Sequence, residues 1–197
     1  MSNSGALELW RTSRADDLDR MEAIHRALTG PGSGRRRQTE HINGAVISRV
    51  LAEFQGFCRD LHNEAVDHVV SCSGITDPGL LALTRAAYLR GRLLDQGNPT
   101  WKVLIADFGR VELDLKKTIK THYPERHKTW LAQLDSLTYT RNAVAHADEI
   151  KLLACRSRGD LNLRRARESR RTTGAIASGM DRVTKTHLKQ LTGVAPW

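Results

Sequence analysis

The chain has 197 residues, 40% hydrophobic, 27% charged and 5% aromatic, the balance of a soluble globular domain with an aliphatic core. Its cysteines, Cys58, Cys72 and Cys155, are odd in number and form no CxxC pair, which argues against a disulfide scaffold or a zinc site and for a reducing cytoplasm. No run of 18 apolar residues and no basic-then-apolar leader occurs, so a soluble, cytoplasmic protein with no membrane partner is expected.

The first helix is expected over about residues 6–29, with Leu18, Met21, Ile24 and Leu28 as its apolar stripe. It stops at Gly30-Pro31-Gly32-Ser33-Gly34, and Arg35-Arg36-Arg37 follows, either a solubilising turn or an RNA-backbone contact. A long second helix, about 38–71, carries apolar residues at 3- and 4-residue steps from Val46 to Val69. Asp77 and Pro78 have the N-cap and N1 chemistry that opens a third helix, to about Asp95, closed by Gln96-Gly97-Asn98-Pro99. A fourth segment is expected from Trp101 to Ile119, with an interruption near Gly109. The fifth helix is expected over about 125–146, followed by a looser stretch, roughly 147–159. A final helix, about 160–191, is rich in arginine near its start. No alternating strand pattern and no internal repeat stands out, so the expected class is an all-α helical bundle with a long second helix and a basic C-terminal helix. Residues 1–197 read as one domain, 1–35 forming the N-terminal helix and Gly/Arg-rich loop and 36–197 the core.

Chemistry concentrates at Arg141-Asn142-Ala143-Val144-Ala145-His146. Arginine is a permanent, planar cation suited to phosphate oxygens, and histidine exchanges protons near neutrality. At about 100° per residue, Asn142 and His146 share a helix face and Arg141 sits beside Asn142. These residue types suit phosphodiester cleavage, with Arg141, Asn142 and His146 as catalytic candidates. The other reading of the pair is a helix C-terminal turn in which cations complement the dipole. Of the formal net charge of +9, residues 141–197 carry +7. Arg156, Arg158, Arg164, Arg165, Arg167, Arg170 and Arg171 are therefore candidate RNA-binding residues, with a solvated helical face as the alternative. Histidine spacings do not suit a metal, since His62 and His68 are six apart and His122 and His127 flank a Tyr-Pro break. No metal and no cofactor is expected.

The order of elements resembles the HEPN superfamily of helical bundles, and within it the stand-alone HEPN ribonuclease-like proteins of bacterial defence and toxin systems. Three places carry the likeness, which spans roughly residues 40–195: the run from Arg141 to His146, matching the family's Arg, polar residue, three spacers, His pattern; Ala52-Glu53-Phe54-Gln55-Gly56-Phe57-Cys58-Arg59-Asp60-Leu61; and Gly97-Asn98-Pro99-Thr100-Trp101. The resemblance implies a homodimer that builds one composite site from two motif copies. It also implies metal-independent endoribonuclease activity, with the RNA 2′-hydroxyl as nucleophile and 2′,3′-cyclic phosphate and 5′-hydroxyl ends as products. Arg141 and His146 would be the catalytic pair, RNA the substrate, and a toxin or phage-defence effector the setting, with a regulatory or antitoxin partner left open.

The chain departs from the pattern twice. Gln55 stands where the subgroup usually has Glu, so any acid role there is absent or shifts to Glu53. Asp148 stands where some HEPN toxins carry a Tyr that a partner nucleotidyltransferase modifies. The alternatives are a non-catalytic HEPN module that binds RNA or a protein and, more remotely, a basic helical DNA-binding protein, for which no helix-turn-helix is evident.

Overall fold

The computed structural model describes residues 2–29 and 39–197, and among them every regular element is helical. The expectations for Gly30–Gly34 and Arg35–Arg37 lie outside the described residues.

The N-terminal segment is two helices rather than one, α1 (Gly5–Arg11) and α2 (Ser13–Thr29), broken at Thr12 (φ −112°, ψ −95°). The Thr12 hydroxyl donates to the Glu8 carbonyl at 2.8 Å, a back-bond of the kind that bends helices. Ser4 caps α1 by accepting from Leu7 N, and the Glu64 carboxylate takes the free N–H groups of Gly5 and Ala6. The stripe expected on α2 holds only in part. Leu18 is buried, but Ile24 and Leu28 are 53% and 68% exposed. The inward face instead passes through Glu22 and His25, because α2 is fastened to the last helix by carboxylates rather than by leucines.

α3 (Glu40–Ser71) is the spine. At 32 residues it is about 48 Å long, and Val50, Phe54, Phe57, Leu61 and Ala65 are among its buried side chains. Trp10 of α1 meets Phe54 and Phe57 edge-on, with ring centroids 6.1 and 6.0 Å away. Truncating Phe54 to alanine in such a core would cost about 3–5 kcal/mol. Gly56 lets the Arg14 guanidinium of α2 lie against the spine, where it bonds Glu53 (2.7 Å) and Asp60 (2.6 Å).

α4 (Pro78–Leu89) is capped by Asp77 accepting from Leu80 N and ends six residues before the expected boundary at Asp95. Gly91 takes φ +69°, a 3-10 turn occupies Leu93–Asp95, and the Arg110 guanidinium caps the carbonyls of Tyr88, Arg90 and Gly91. The fourth segment divides into α5 (Trp101–Phe108) and α6 (Leu115–His122) around a 3-10 turn at Gly109–Val111. α7 (His127–Ala145) packs on α3 closely enough that a Cβ on Gly44 would lie 3.1 Å from Val144. The expected loose stretch is a helix, α8 (Glu149–Arg158), N-capped by Asp148 and closed by Gly159 at φ +70°. α9 (Leu163–Thr192), N-capped by Asn162, runs back along the spine, and Gly179 admits the Trp130 ring of α7.

Candidate functional site

α7 ends at the motif. His146 is its C-cap residue, so the helical face shared with Asn142 stops one residue short of the imidazole. The exit is a Schellman turn: Ala147 N donates to Val144 O (3.3 Å) and Asp148 N to Ala143 O (3.1 Å). This turn requires a left-handed residue, and Ala147 supplies it at φ +48°. α8 closes with the same hydrogen-bond pattern but places Gly159 there. A Cβ in this conformation costs about 1–2 kcal/mol, so backbone strain is held directly beside His146. Asp148 then starts α8. Hydrogen bonds from Lys151 hold its carboxyl below the usual carboxylate range.

Gln55 of the spine, the connector before α5 and the last turn of α7 are joined at this end of the bundle. Gln55 Nε2 of α3 donates to the carbonyls of Leu94 (2.7 Å) and Gly97 (2.8 Å), fixing the connector that precedes α5. From that connector Asn98 Nδ2 donates to Asn142 Oδ1 at 2.8 Å, and Arg141 Nη1 donates to the same oxygen at 3.2 Å. Because arginine only donates, the amide orientation of Asn142 is settled: its oxygen faces Arg141 and Asn98. The Asn142 NH₂ and the remaining guanidinium N–H groups have no protein acceptor among the described residues. Arg141 and Asn142 are half-buried and His146 is exposed. Its imidazole makes no hydrogen bond to either residue, so Asn142 does not orient the ring within one chain. What the chain presents is a preset group of N–H donors suited to an anion, with the exposed His146 following at the C-cap of the same helix.

Gln55 is thus a donor that glutamate could not replace, since an ionised carboxylate has no hydrogen to offer two carbonyls. Glu53 is buried, and its two oxygens pair with Arg14 (2.7 Å) and Arg49 (2.6 Å), so an acid role does not shift to it. Asn98 is the site residue whose role the sequence did not disclose. The connector was marked by resemblance alone, and the bond to Asn142 bridges 44 residues.

The arginine cluster is partly neutralised. Arg156 pairs with Glu40 (2.8 Å), Arg158 with Asp160 (2.8 Å), and Arg165 with Glu168 (3.0 Å). Arg167 pairs with Glu22 (2.9 Å) and Arg170 with Asp19 (2.6 Å). Arg158 also lies over the Tyr139 ring, 4.9 Å from its centroid. Arg164 and Arg171 are exposed and have no carboxylate partner among the described residues, and they flank an open groove of about 640 Å³. The free positive surface is therefore narrower than the segment charge implies.

Elsewhere, His62 is buried against Phe108, its Nε2 bonded to the Asp107 carbonyl at 2.9 Å, and burial lowers its pKa to about 4. Burial also pushes the Cys58 and Cys155 thiols up, which makes them poor nucleophiles. Among the described residues no group of three or more His, Cys, Asp or Glu converges as metal ligands, and no helix is long and apolar enough to cross a membrane. No family model matches the chain, and no curated protein or solved structure is significantly similar to it.

Proposed function

We propose that the chain is an endoribonuclease that acts as a homodimer and cleaves RNA to 2′,3′-cyclic phosphate and 5′-hydroxyl ends, in the role of a toxin or phage-defence effector. The observation that carries this reading is the relay Gln55–Gly97–Asn98–Asn142–Arg141, which presets a donor cluster on the last turn of the helix that His146 caps.

In the proposed chemistry the imidazole removes the 2′-hydroxyl proton, or protonates the departing 5′-oxygen, a role worth about 10²–10⁴-fold. The guanidinium and the Asn142 NH₂ donate to the phosphate oxygens as charge builds on them. A single chain offers one imidazole where cleavage needs both a base and an acid, so a second copy completes the set. Ile150 and Leu153 on α8, 84% and 67% exposed beside the motif, supply apolar surface for that contact. Arg164 and Arg171 are the arginines left to hold the RNA backbone.

The test is His146→Ala. Because the ring is exposed and makes no hydrogen bond among the described residues, the melting profile should stay near that of the natural chain while cleavage disappears. A large loss of stability with cleavage retained would place His146 among structural residues. The second reading, a non-catalytic module that binds RNA or protein, draws on the absence of any bond from the His146 ring to Arg141 or Asn142. It predicts RNA retention without scission.

A further inference from the structure

Helix α4 is out of keeping with the rest of the bundle. Its sequence, PGLLALTRAAYL, holds one charged residue in 12, yet none of the 12 is buried. Every other α-helix among the described residues places at least one apolar side chain in the core. At about 100° per residue, the half-buried Leu81, Tyr88 and Leu89 turn toward the bundle, and Arg85 turns with them to reach Asp67 of α3 at 2.5 Å. The outward face is then Gly79, Leu80, Leu83, Ala86 and Ala87, all exposed, with Leu80 at 55% and Leu83 at 60%. A scattered surface leucine is ordinary. A whole helical face without a charge, in a chain that is 27% charged, marks a contact surface.

The charges at its two ends say what covers it. Asp77 stands before the first turn and Arg90 after the last. Both are exposed, and neither has an ion-pair partner among the described residues. Because the two charges are opposite, the face is complementary to itself. Two copies of α4 laid antiparallel across a twofold axis set each Asp77 against Arg90 of the other copy. The same register puts Leu80 opposite Ala87, a large residue against a small one, and brings Leu83 beside its own counterpart at the axis. A parallel pairing would set Asp77 against Asp77 and Arg90 against Arg90.

We infer that α4 is a self-association surface, covered by α4 of a second copy of this chain packed antiparallel about a twofold axis. A helix of 12 residues is about 18 Å long. The contact therefore falls at the small end of interface sizes, below about 1,200 Å² in total, where association is transient and concentration-dependent. It is separate from the contact beside the motif. Asp67, which anchors α4, and Glu40, which holds Arg156 of α8, lie about 40 Å apart along the spine. A chain with a twofold contact near each end of its spine assembles past the dimer, whereas the α4 contact alone stops at two copies. The inference thus stands whether or not the nuclease reading does.

The experiment is sedimentation equilibrium of the full chain over a wide concentration range. The mean mass of the natural chain should rise with concentration. Leu83→Glu should weaken that association by at least roughly tenfold, because a charge replaces the leucine at the centre of the contact. Leu83 is exposed, so an unchanged melting temperature checks that the fold is kept. Ile150→Glu with Leu153→Glu, on α8, should leave the α4 association in place; should the dimer of the nuclease reading fail, this variant behaves as the natural chain does while Leu83→Glu still dissociates. Arg90→Glu makes both ends of the face acidic, and Thr76→Lys with Asp77→Asn, which keeps a capping oxygen, makes both ends basic. Each should lose self-association, and a mixture of the two should recover it. Association unaffected by Leu83→Glu, or no recovery in the mixture, would overturn the inference. So would a natural chain no heavier than Leu83→Glu at any concentration, the result expected if a different protein covers α4.

Discussion

Replacing Gln55 by glutamate exchanges an amide donor for an acceptor, and the structure predicts that it damages this protein. Gln55 Nε2 donates two hydrogen bonds, at 2.7 Å to the Leu94 carbonyl and 2.8 Å to the Gly97 carbonyl. An ionised oxygen at that position would face two carbonyl oxygens, so the carboxylate must turn away and both bonds are lost. At about 0.5–1.5 kcal/mol net for each bond, the loss is about 1–3 kcal/mol. For a chain of this length, 2–4 °C per kcal/mol converts that into a fall in Tm of about 2–12 °C. A protonated carboxyl can donate one bond again, so the folded state holds that proton to higher pH than the unfolded state does. The stability deficit of Q55E against the natural chain is therefore smallest below the ordinary glutamate value, about 4.3, and grows as pH rises through the raised folded value. Thermal melts of both proteins across pH read this directly. Q55M, which removes the donor without adding a titratable group, should show a deficit that does not vary with pH. A Q55E protein as stable as the natural chain at neutral pH, or one whose deficit widens toward acid, would refute the donor role of Gln55.

Ala147→Gly should stabilise the fold by about 0.5–1 kcal/mol, because glycine relieves the left-handed strain at φ +48° and gives back part of the gain as unfolded-state entropy; a destabilised variant in denaturant melts would argue against the Schellman exit. His62 predicts an acid limb. Its folded pKa of about 4 lies below the ordinary 6.5, so about 3 kcal/mol of stability, fully present above pH 6.5, is lost as pH falls toward 4. His62→Gln, which keeps a donor for the Asp107 carbonyl, should flatten that limb, and a superimposable acid titration would contradict the assignment. For RNA, Arg164→Ala with Arg171→Ala should reduce the slope of log affinity against log salt by about 1.4, the value for two phosphate contacts on a single strand. Arg167→Ala, whose partner is Glu22, should barely change it, and equal effects of the two variants would mean that the ion pairs open on binding.

The spine and the motif helix were legible because long apolar periodicity and the run from Arg141 to His146 are both local signals. The break at Thr12 was not, since it has neither glycine nor proline and depends on a single hydroxyl back-bond. α8 was missed although Asp148 and Gly159 mark its ends. Two of its apolar residues, Ile150 and Leu153, point to solvent and only Leu152 and Cys155 face the core, so its inward stripe is too short to announce it. On α2 the reverse holds: Ile24 and Leu28 advertise a stripe that the fold leaves exposed while Glu22 and His25 turn inward. Charge was misjudged for a similar reason. Counting residues 141–197 alone cannot see that Asp19, Glu22 and Glu40 fold back onto Arg170, Arg167 and Arg156. Of the site, the donor and the imidazole could be read from the sequence. Asn98 and the positioning role of Gln55 could not, because tertiary packing alone brings them to Asn142.

In the proposed function Arg141 and His146 perform transesterification on RNA, and purified protein incubated with total RNA in excess EDTA, followed by end-group analysis, puts this to the test. The natural chain should yield 2′,3′-cyclic phosphate and 5′-hydroxyl termini, and Arg141→Ala should yield none while folding normally. Intact RNA from the natural chain, or the same termini from the Arg141→Ala protein, would contradict it.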